Sequence, residues 1–323
     1  MKRISATGLA LAFCAFALPA QAQGVAYVSS EKDATLTLID LKSQAVTGTL
    51  PTCKRPRYMQ TSPDGRQLIV ACSDSNEADV IDLATRKSVR RFALGEDPEV
   101  FDIAPDGHTL FVGREDDGEL AWVDMANGKQ LKSVQVGKEP EGVKVTPDGK
   151  TVYVACEASN LVSVVDVASA TVRKNIAVAK RPRRFALTPD GRELWVTSEL
   201  GAAVTIVSTR DNSILATIHF EVPGARDTDI TPVGITMTRD GRHAFVALGK
   251  ANRVAFVDVA KRKVEHLVLV GKRVWSVALN KAETRLYAVN GLSDDVTIID
   301  VAGAKALKSV PVGRTPYMAV IVE

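Results

Sequence analysis

Histidine and cysteine are scarce in this sequence, and their scarcity excludes several kinds of site. The 323 residues contain four of each. There is no C-x-x-C-H motif, which excludes c-type haem attachment, and no C-x-x-C pair or G-x-S-x-G elbow. The histidines are scattered along the chain, which argues against a three-histidine zinc site. They are His108, His219, His243 and His266.

An excess of charge of one sign is also lacking. The chain has 41 basic and 38 acidic residues, for a formal net charge of +3. Such a balance argues against a general nucleic-acid partner, because binding to the phosphate backbone depends on basic surface.

The chain has one apolar run of note, close to its start. Lys2 and Arg3 precede LALAFCAFAL, and PAQA follows. This pattern predicts a signal peptide at residues 1–22, cleaved after Ala22. The run is too short to span ~30 Å of hydrocarbon. We therefore expect a periplasmic mature protein, residues 23–323, without membrane insertion.

One motif recurs along the whole mature chain. An aspartate that ends an apolar run recurs every 42 residues, with a single interval of 50 and a serine at one site, at Asp40, Asp82, Asp124, Asp166, Ser208, Asp258 and Asp300. Its regular recurrence predicts a turn-capping role. A second aspartate keeps the same spacing, at Asp64, Asp106, Asp148, Asp190 and Asp240. A period of this length is typical of a solenoid, a propeller or an array.

Each repeat contains four short β-rich runs. In the copy at 141–178 they are EGVKVT, TVYVAC, LVSVVDV and VRKNIAV, and a PDG turn separates the first two. β-Branched residues dominate and no 3.6-residue stripe appears, which excludes helical repeats. Four strands in about 40 residues indicate one blade of a β-propeller.

The two ends of the chain complement each other. The mature N-terminus supplies VAYVSS, TLTLIDL and AVTGTL, the second to fourth strands of a blade, and the C-terminal RTPYMAVIVE is similar to KRPRYMQTSP at 54–63, where a new blade begins. The sequence therefore predicts an all-β, seven-bladed propeller of four-stranded blades, a single domain over 23–323. Its C-terminal strand completes the N-terminal blade and closes the ring.

The strands TVYVAC, ELWVTS and RLYAVN, coupled to PDG turns, resemble those of secreted YVTN-type β-propeller repeat proteins. With its leader, the chain is similar to the β-propeller proteins associated with PQQ-dependent catabolism. That resemblance implies a periplasmic protein that works beside a quinoprotein alcohol dehydrogenase or its cytochrome c, without being the dehydrogenase. We predict a monomer with no cofactor or metal of its own.

Loops on one face of a propeller and the mouth of its channel usually carry function. Six of the seven connections into a first strand contain a proline, and the seventh has Val274 in its place. The residue that follows this position is predicted to ring the mouth: Arg57, Glu99, Glu141, Arg183, Val233, Trp275 and Tyr317. One interpretation is that arginines and glutamates pair across neighbouring blades. The other is a polar and aromatic pocket for a small ligand or a partner's side chain. Partly exposed pairs contribute only ~0–1 kcal/mol each, so stability alone does not require such a ring.

Two further groups belong to this face. The loops between second and third strands carry Glu31, Glu115, Glu157 and Glu199, which we interpret as a solvated acidic face rather than a cation site. The only break in the period lies at residues 218–234, an insertion expected to border the mouth and to bring to it His219, Glu221, Arg226, Asp227 and Asp229.

Three cysteines remain after the leader. Cys53 precedes a first strand and Cys72 ends the antiparallel second strand, so the spacing permits a disulfide between them. Cys156 occupies the position of Cys72 two blades later and is expected to pack as a small apolar group.

Three functions are compatible with these features. The first is a non-catalytic binding or scaffold propeller that supports quinoprotein alcohol oxidation. The second is a lactonase-like hydrolase that uses the channel mouth, suggested by a secondary resemblance to seven-bladed lactonases. The third is a tetrapyrrole or quinone carrier, suggested by a resemblance to the larger haem d1 propeller of nitrite reductases.

Overall fold

The computed structural model of the protein describes residues 24–323, and seven four-stranded antiparallel sheets form its fold. The first seven strands are β1 (Val25–Ser30), β2 (Thr35–Asp40), β3 (Ala45–Pro51), β4 (Pro56–Thr61), β5 (Gln67–Cys72), β6 (Glu77–Asp82) and β7 (Lys87–Ala93). The next eight are β8 (Pro98–Ile103), β9 (Thr109–Arg114), β10 (Glu119–Asp124), β11 (Gln130–Gln135), β12 (Pro140–Val145), β13 (Thr151–Cys156), β14 (Leu161–Asp166) and β15 (Thr171–Ala177).

The remaining strands continue the same order. They are β16 (Pro182–Leu187), β17 (Glu193–Ser198), β18 (Ala203–Ser208), β19 (Ile214–His219), β20 (Ile235–Met237), β21 (His243–Ala247), β22 (Arg253–Asp258), β23 (Lys263–Leu269), β24 (Val274–Leu279), β25 (Arg285–Asn290), β26 (Asp295–Asp300), β27 (Lys305–Pro311) and β28 (Pro316–Val322). Two short 3-10 helices lie at Ser73–Ser75 and Asp227–Asp229.

Each sheet is one blade, and the C-terminal strand closes the ring as predicted. Blade 1 has the order β28-β1-β2-β3, and blades 2 to 7 begin at β4, β8, β12, β16, β20 and β24. In blade 1, β28 pairs antiparallel with β1, and Val25 lies opposite Val322. The closure leaves no free inner edge on the first blade, so the edge-strand hazard of an open sheet is removed.

The core lies between blades rather than within them. One cluster joins Ile69 and Val80 of blade 2 to Phe101 and Val112 of blade 3. The second strands are almost wholly buried, whereas fourth strands such as β7 are largely exposed. A single blade has two apolar faces that only its neighbours cover, which is why the unit is repeated.

The two recurrent aspartates cap turns, as their spacing predicts. Asp40 Oδ1 accepts a hydrogen bond from the Ser43 backbone N–H at 2.7 Å, and Asp82 Oδ1 accepts the same bond from Thr85 at 2.7 Å. In the PDG turn, Asp64 Oδ1 accepts from the Arg66 N–H at 3.1 Å. Hydrogen bonds from the Ser62 hydroxyl, the Thr85 hydroxyl and the Ser43 backbone N–H contribute most to lowering the pKa of Asp64, Asp82 and Asp40, respectively, because they stabilise the charged carboxylate.

The turns divide the molecule into two faces. The lower face carries the turns between first and second strands and between third and fourth strands. The upper face carries the loops between second and third strands and the connections between blades. The leader expected at residues 1–22 lies outside the described residues. Among residues 24–323, no helix is long and apolar enough to cross a membrane.

Candidate functional site

The ring of residues at the upper end of the channel is buried rather than open to solvent. Glu99 is 0% exposed, Arg183 and Glu141 are each 3% exposed, and Arg57 is 6% exposed. Val233 and Tyr317 are also buried, and only Trp275 is half-buried. The ring therefore lies in the protein interior at the upper end of the channel, whereas the sequence had predicted a solvent-filled channel mouth. Side chains from the loops above it exclude the solvent.

Arginines and glutamates of the ring pair across neighbouring blades. Arg57 Nη1 lies 2.5 Å from Glu99 Oε2, between blades 2 and 3. Arg183 Nη1 lies 3.2 Å from Glu141 Oε1, between blades 5 and 4. This is the pairing across neighbouring blades that the first interpretation predicts, with the difference that both pairs are buried rather than partly exposed. Because both members of the Arg183–Glu141 pair are buried and charged, loss of one partner would leave an uncompensated charge, which is far more costly than loss of a surface pair.

Glycine permits the blades to approach at this level. Gly142 follows Glu141, and a Cβ added there would lie 2.3 Å from the Arg183 carbonyl oxygen. Gly234 follows Val233, and an added Cβ would lie 2.7 Å from the Trp275 carbonyl oxygen. Side chains at these two positions would push the inner strands apart and separate the ring's charges.

The four loop glutamates are not the solvated acidic face expected from the sequence. Glu157 and Glu199 are 3% and 5% exposed. Both contact Arg183, and the distance from Arg183 Nη1 to Glu199 Oε2 is 3.6 Å. Glu31 lies 3.9 Å from Arg57. Glu31, Glu157 and Glu199 thus lie beside arginines instead of diverging into water, whereas Glu115 clusters with Asp97 and Glu99.

Sequence reasoning missed four arginines that complete this assembly. Arg55, Arg181 and Arg273 share the position two residues before a ring residue, and all three have a positive φ, between 55° and 60°. The aligned position also holds Asp97 and Glu139, so a column of charged residues was the available signal. The fourth, Arg184, follows the ring residue Arg183.

These arginines link the loop glutamates to one another. Arg181 Nε lies 3.1 Å from Glu199 Oε2, and Arg181 also pairs with Glu157. Arg273 Nη2 lies 2.5 Å from Glu199 Oε1. Arg55 lies 3.6 Å from Glu31. We call the whole assembly the ion-pair network; it comprises Glu31, Arg55, Arg57, Asp97, Glu99, Glu115, Glu141, Glu157, Arg181, Arg183, Arg184, Glu199 and Arg273.

Two carboxyls of the network hold protons near neutral pH. Burial, followed by the charge of Glu141, raises the pKa of Glu99 to about 8, although Arg57 acts in the opposite direction. Burial and the same neighbour raise the pKa of Glu115 to about 7. For Glu141 burial acts in the raising direction too, but Arg183 and Arg57 outweigh it and hold its pKa below the usual value. Glu141, which has two arginines at 3.2 and 3.3 Å, thus keeps its charge, whereas the pKa values of Glu99 and Glu115 are raised.

Carboxylate oxygens of Asp97, Glu99 and Glu115 lie within 4.8 Å of one another, a spacing that a cation would fit. Arg55 already lies 3.6 Å from both Asp97 and Glu99. Guanidinium groups and the protons on Glu99 and Glu115 therefore balance this cluster, and we assign no metal to it.

Aromatic rings occupy the other half of the ring. Trp275 and Tyr317 have centroids 5.7 Å apart. Arginines lie over both, with Arg57 at 4.4 Å from the Tyr317 centroid and Arg273 at 4.1 Å from the Trp275 centroid. Arg184 Nη2 donates to the Tyr317 hydroxyl at 2.5 Å. Cation–π contacts thus tie the aromatic half to the charged half.

The structure places the inserted segment away from the channel mouth. Phe220, Val222 and Ile230 pack into the core between blades 5 and 6. This anchors the segment against the outer side of blade 6, where Glu221 and Asp227 line a groove with His266 of β23. His219 ends β19 and is exposed, and Arg226 pairs with Asp229 at 2.8 Å on the surface. Only the far end of the segment approaches the network, where Thr231 Oγ1 accepts from Arg273 Nη1 at 3.0 Å.

Cys53 and Cys72 form a disulfide, with a Cα–Cα distance of 5.7 Å. It joins the connection into blade 2 to the end of β5 and so holds the chain just above Arg57. Cys156 is a free, buried thiol that packs with Val154 and Val143, and burial raises its pKa.

The fold and its closed upper channel end define a seven-bladed β-propeller with a buried charge assembly around its axis. The particular family follows from the sequence of the central blades, because the model of the choice-of-anchor I domain matches residues 112–290, more than half of the chain. The chain belongs to the choice-of-anchor I domain family. No curated protein matches it.

Many solved structures share the fold at low sequence identity. Hydrazine synthase of Kuenenia stuttgartiensis aligns with a TM-score of 0.77 and 23% identity over 85% of this chain and 92% of that chain. The Pseudomonas aeruginosa periplasmic gluconolactonase PpgL aligns with a TM-score of 0.79 and 19% identity over 94% and 99%. The dihydro-heme d1 dehydrogenase NirN aligns with a TM-score of 0.66 and 16% identity over 94% and 76%. At these identities the likeness shows the fold alone.

Proposed function

We propose that the protein is a non-catalytic binding propeller of the periplasm that supports a quinoprotein, PQQ-dependent alcohol oxidation system. The observation that carries the proposal is the mutual pairing of charges within the ion-pair network. Arg183 alone contacts three carboxylates, and each of these has a second arginine. Groups that satisfy one another in this way form a rigid support and do not present a free nucleophile or base.

The histidines support the same conclusion. His108 and His243 belong to lower-face turns, His266 lies on the outer strand β23, and His219 is exposed at the end of β19. Within residues 24–323, none of them lies beside the ring. General acid–base work by histidine needs a position within hydrogen-bond reach of the reacting group.

The upper face offers a surface for a protein partner. Leu200 and Leu292 occupy the same loop position in blades 5 and 7 and are 57% and 70% exposed. The corresponding residues of blades 2 and 3 are Asp74 and Asp116, which are exposed carboxylates. Exposed Ala158 occupies this position in blade 4, and Lys32 and Lys250 occupy it in blades 1 and 6. The adjacent carboxylates of blades 2 and 3 suit a basic patch on a partner such as a cytochrome, and the two leucines offer apolar contacts for affinity.

The test is affinity purification of the tagged protein from its native periplasm during growth on an alcohol, followed by mass spectrometry. We expect enrichment of a quinoprotein dehydrogenase or its cytochrome, which is lost on raising salt and in a Leu200→Asp/Leu292→Asp variant. Leu307→Asp, on the outer strand β27 and 46% exposed, is the matched control and should retain the partner. A deletion strain that oxidises alcohols normally, together with no enrichment, would refute the proposal.

A second candidate is a lactone hydrolase. The feature that favours it is that burial raises the pKa of Glu99 to about 8 and that of Glu115 to about 7, the range that suits a general acid. Arg57, Glu141 and Arg183 would surround the reacting group, but His219 is too remote to take part. Turnover of a lactone panel that Glu99→Gln abolishes would establish this function instead of the first.

A further inference from the structure

The central channel contains a cavity that opens on the lower face. At the opening, a space of about 500 Å³ is lined by strand residues of blades 1, 2, 6 and 7 and by Lys281 and Glu283. The larger of the two parts above it, about 430 Å³, is lined by inner-strand residues of blades 2 to 6 and by turn residues Pro189 and Arg239. The Arg239 side chain is 69% exposed, which places the opening at these turns. A narrower part of about 90 Å³ shares Tyr58, Arg184 and Phe185 with the larger part. The ion-pair network closes the upper end, so the channel is a blind pocket entered from below.

The described residues that line the larger part include three cations and no carboxylate. The cations are Lys144, Arg184 and Arg239. Lys144 Nζ lies 2.9 Å from Asp102, which is 2% exposed and so lies behind the wall. An ammonium group has three donors, and this contact leaves others for the cavity. Arg184 and Arg239 are paired too, with Glu141 at 3.3 Å and Glu283 at 3.2 Å. The wall of this part therefore presents ammonium and guanidinium donors to a ligand, while the balancing carboxylates lie outside its lining.

Asp102 is held firmly in that position. Its Oδ1 accepts from Gln60 Nε2 at 2.9 Å, and its Oδ2 accepts from the Val145 N–H at 2.9 Å. These contacts fix the carboxylate, and the carboxylate fixes the Lys144 ammonium at the cavity surface. Pre-organisation of this kind lowers the entropy cost of binding an anion.

The inner part of the cavity is aromatic. Tyr58, Phe185, Trp275 and Tyr317 line it, with Arg184 at the junction with the larger part. Ser276 Oγ is buried on its wall and has no hydrogen-bond partner. A buried hydroxyl without a partner is costly, and a bound molecule or water would relieve that cost. Flat aromatic surfaces around a narrow space favour a planar ring.

We propose that this cavity binds a small aromatic carboxylate, with its ring in the inner part and its carboxylate between Lys144 and Arg184. Cavities of ~300–1,000 Å³ with apolar walls and a few convergent polar groups are typical small-molecule sites. The site faces away from the surface that we assign to a protein partner, so the two proposals stand or fall separately.

Calorimetry of the whole mature protein with benzoate tests this inference, and its neutral isostere benzamide is the comparison. We expect saturable 1:1 binding of the acid and at least tenfold weaker binding of the amide. Trp275 is the only half-buried tryptophan, beside the buried Trp122 and Trp195, and binding should change the emission of the wild type but not of Trp275→Phe.

Three variants separate this site from others. Lys144→Met/Asp102→Asn removes the cation and its partner together, so no buried charge is left alone, and should weaken binding of the acid at least tenfold. Ser276→Leu fills the inner part and should abolish binding without changing charge. Arg66→Met, an 84% exposed lower-face side chain, should bind as the wild type does. Equal binding of acid and amide, no saturable heat, or unchanged affinity in the first two variants would each overturn the inference, whatever partner the upper face captures.

Discussion

Replacement of Arg183 by methionine gives the sharpest test of the ion-pair network. The side chain is 3% exposed and contacts Glu141 at 3.2 Å, Glu199 at 3.6 Å and Glu157. Removal of one partner from a buried pair typically costs ~3–5 kcal/mol because a charge is left unpaired. Each glutamate retains another arginine, as Glu199 does with Arg273 at 2.5 Å. We therefore expect a loss near the lower limit, about 3 kcal/mol.

Urea unfolding followed by circular dichroism measures this loss, and thermal scans should show the midpoint falling by at least about 6 °C. The control is Arg192→Met, a turn residue of the same blade with an 85% exposed side chain. Its effect should stay within ~0.5 kcal/mol. The double variant Arg183→Met/Glu157→Gln should recover part of the loss, because one of the uncompensated charges is then absent.

The pH dependence of the Arg183→Met variant has a definite sign. Without the guanidinium, the folded-state pKa values of the surrounding glutamates rise above their unfolded values. A group with a raised folded-state pKa stabilises the fold at low pH and ceases to do so as pH rises through that value. The deficit of the variant should therefore shrink on acidification toward about pH 4.5. A loss below about 1 kcal/mol, or a deficit that grows on acidification, would refute this account of the network.

Three further predictions concern other parts of the fold. Glu99→Gln should be more stable than the wild type above pH 8 and equally stable below pH 4.5. Between those values the unfolded wild type has lost the Glu99 proton while the folded wild type still holds it, so the free energy of unfolding of the wild type falls as pH rises. The same stability difference in urea titrations at pH 5 and pH 9 would contradict this. Cys53→Ser/Cys72→Ser opens a loop with a sequence separation of 19, and its free energy of unfolding, measured by thermal unfolding, should fall by about 3 kcal/mol. The control is Cys156→Ser, which keeps the disulfide and should still be destabilised by a reductant, whereas the double variant should not respond to it. Removal of residues 316–323 exposes the inner edge of β1 and should produce oligomers in size-exclusion chromatography, whereas a monodisperse monomer would argue against closure by β28.

Most of the fold was predictable because the same sequence pattern recurs in every blade. The 42-residue spacing specifies the blade, and the aspartates at its turns appear in the structure as turn caps. The partial first blade and the additional C-terminal strand together predict the closure between Val25 and Val322. The register of first and second strands is offset by one from simple pairing about the turn, with Pro56 opposite Cys72, because a bulge follows Pro56. A bulge of one residue leaves no trace in composition.

The sequence predicted which positions surround the channel axis, but not that their side chains are buried. Alignment of the blades identified Arg57, Glu99, Glu141 and Arg183 as neighbours around the axis. It did not show that the loops above them close inward, since burial depends on the tilt of all seven blades. The insertion was misleading for a different reason. Its length suggested that it could extend over the channel mouth, whereas Phe220 and Val222 pack between blades 5 and 6 and hold it at the outer side of the propeller.

The pairing of β28 with β1 has a consequence for how the molecule is made. Strand β1 is synthesised before the other strands, but its inner edge can pair only after β28 has been synthesised, because Val25 lies opposite Val322. Closing a loop of this length costs about 5 kcal/mol of chain entropy, and only the final seam and the two blade interfaces beside it offset that cost. Blades 2 to 7 are complete in themselves, so they can stack in order while the chain is still growing. Completion of the circle therefore requires β28, and a chain that stops before this strand leaves the inner edge of β1 unpaired and accessible to proteases.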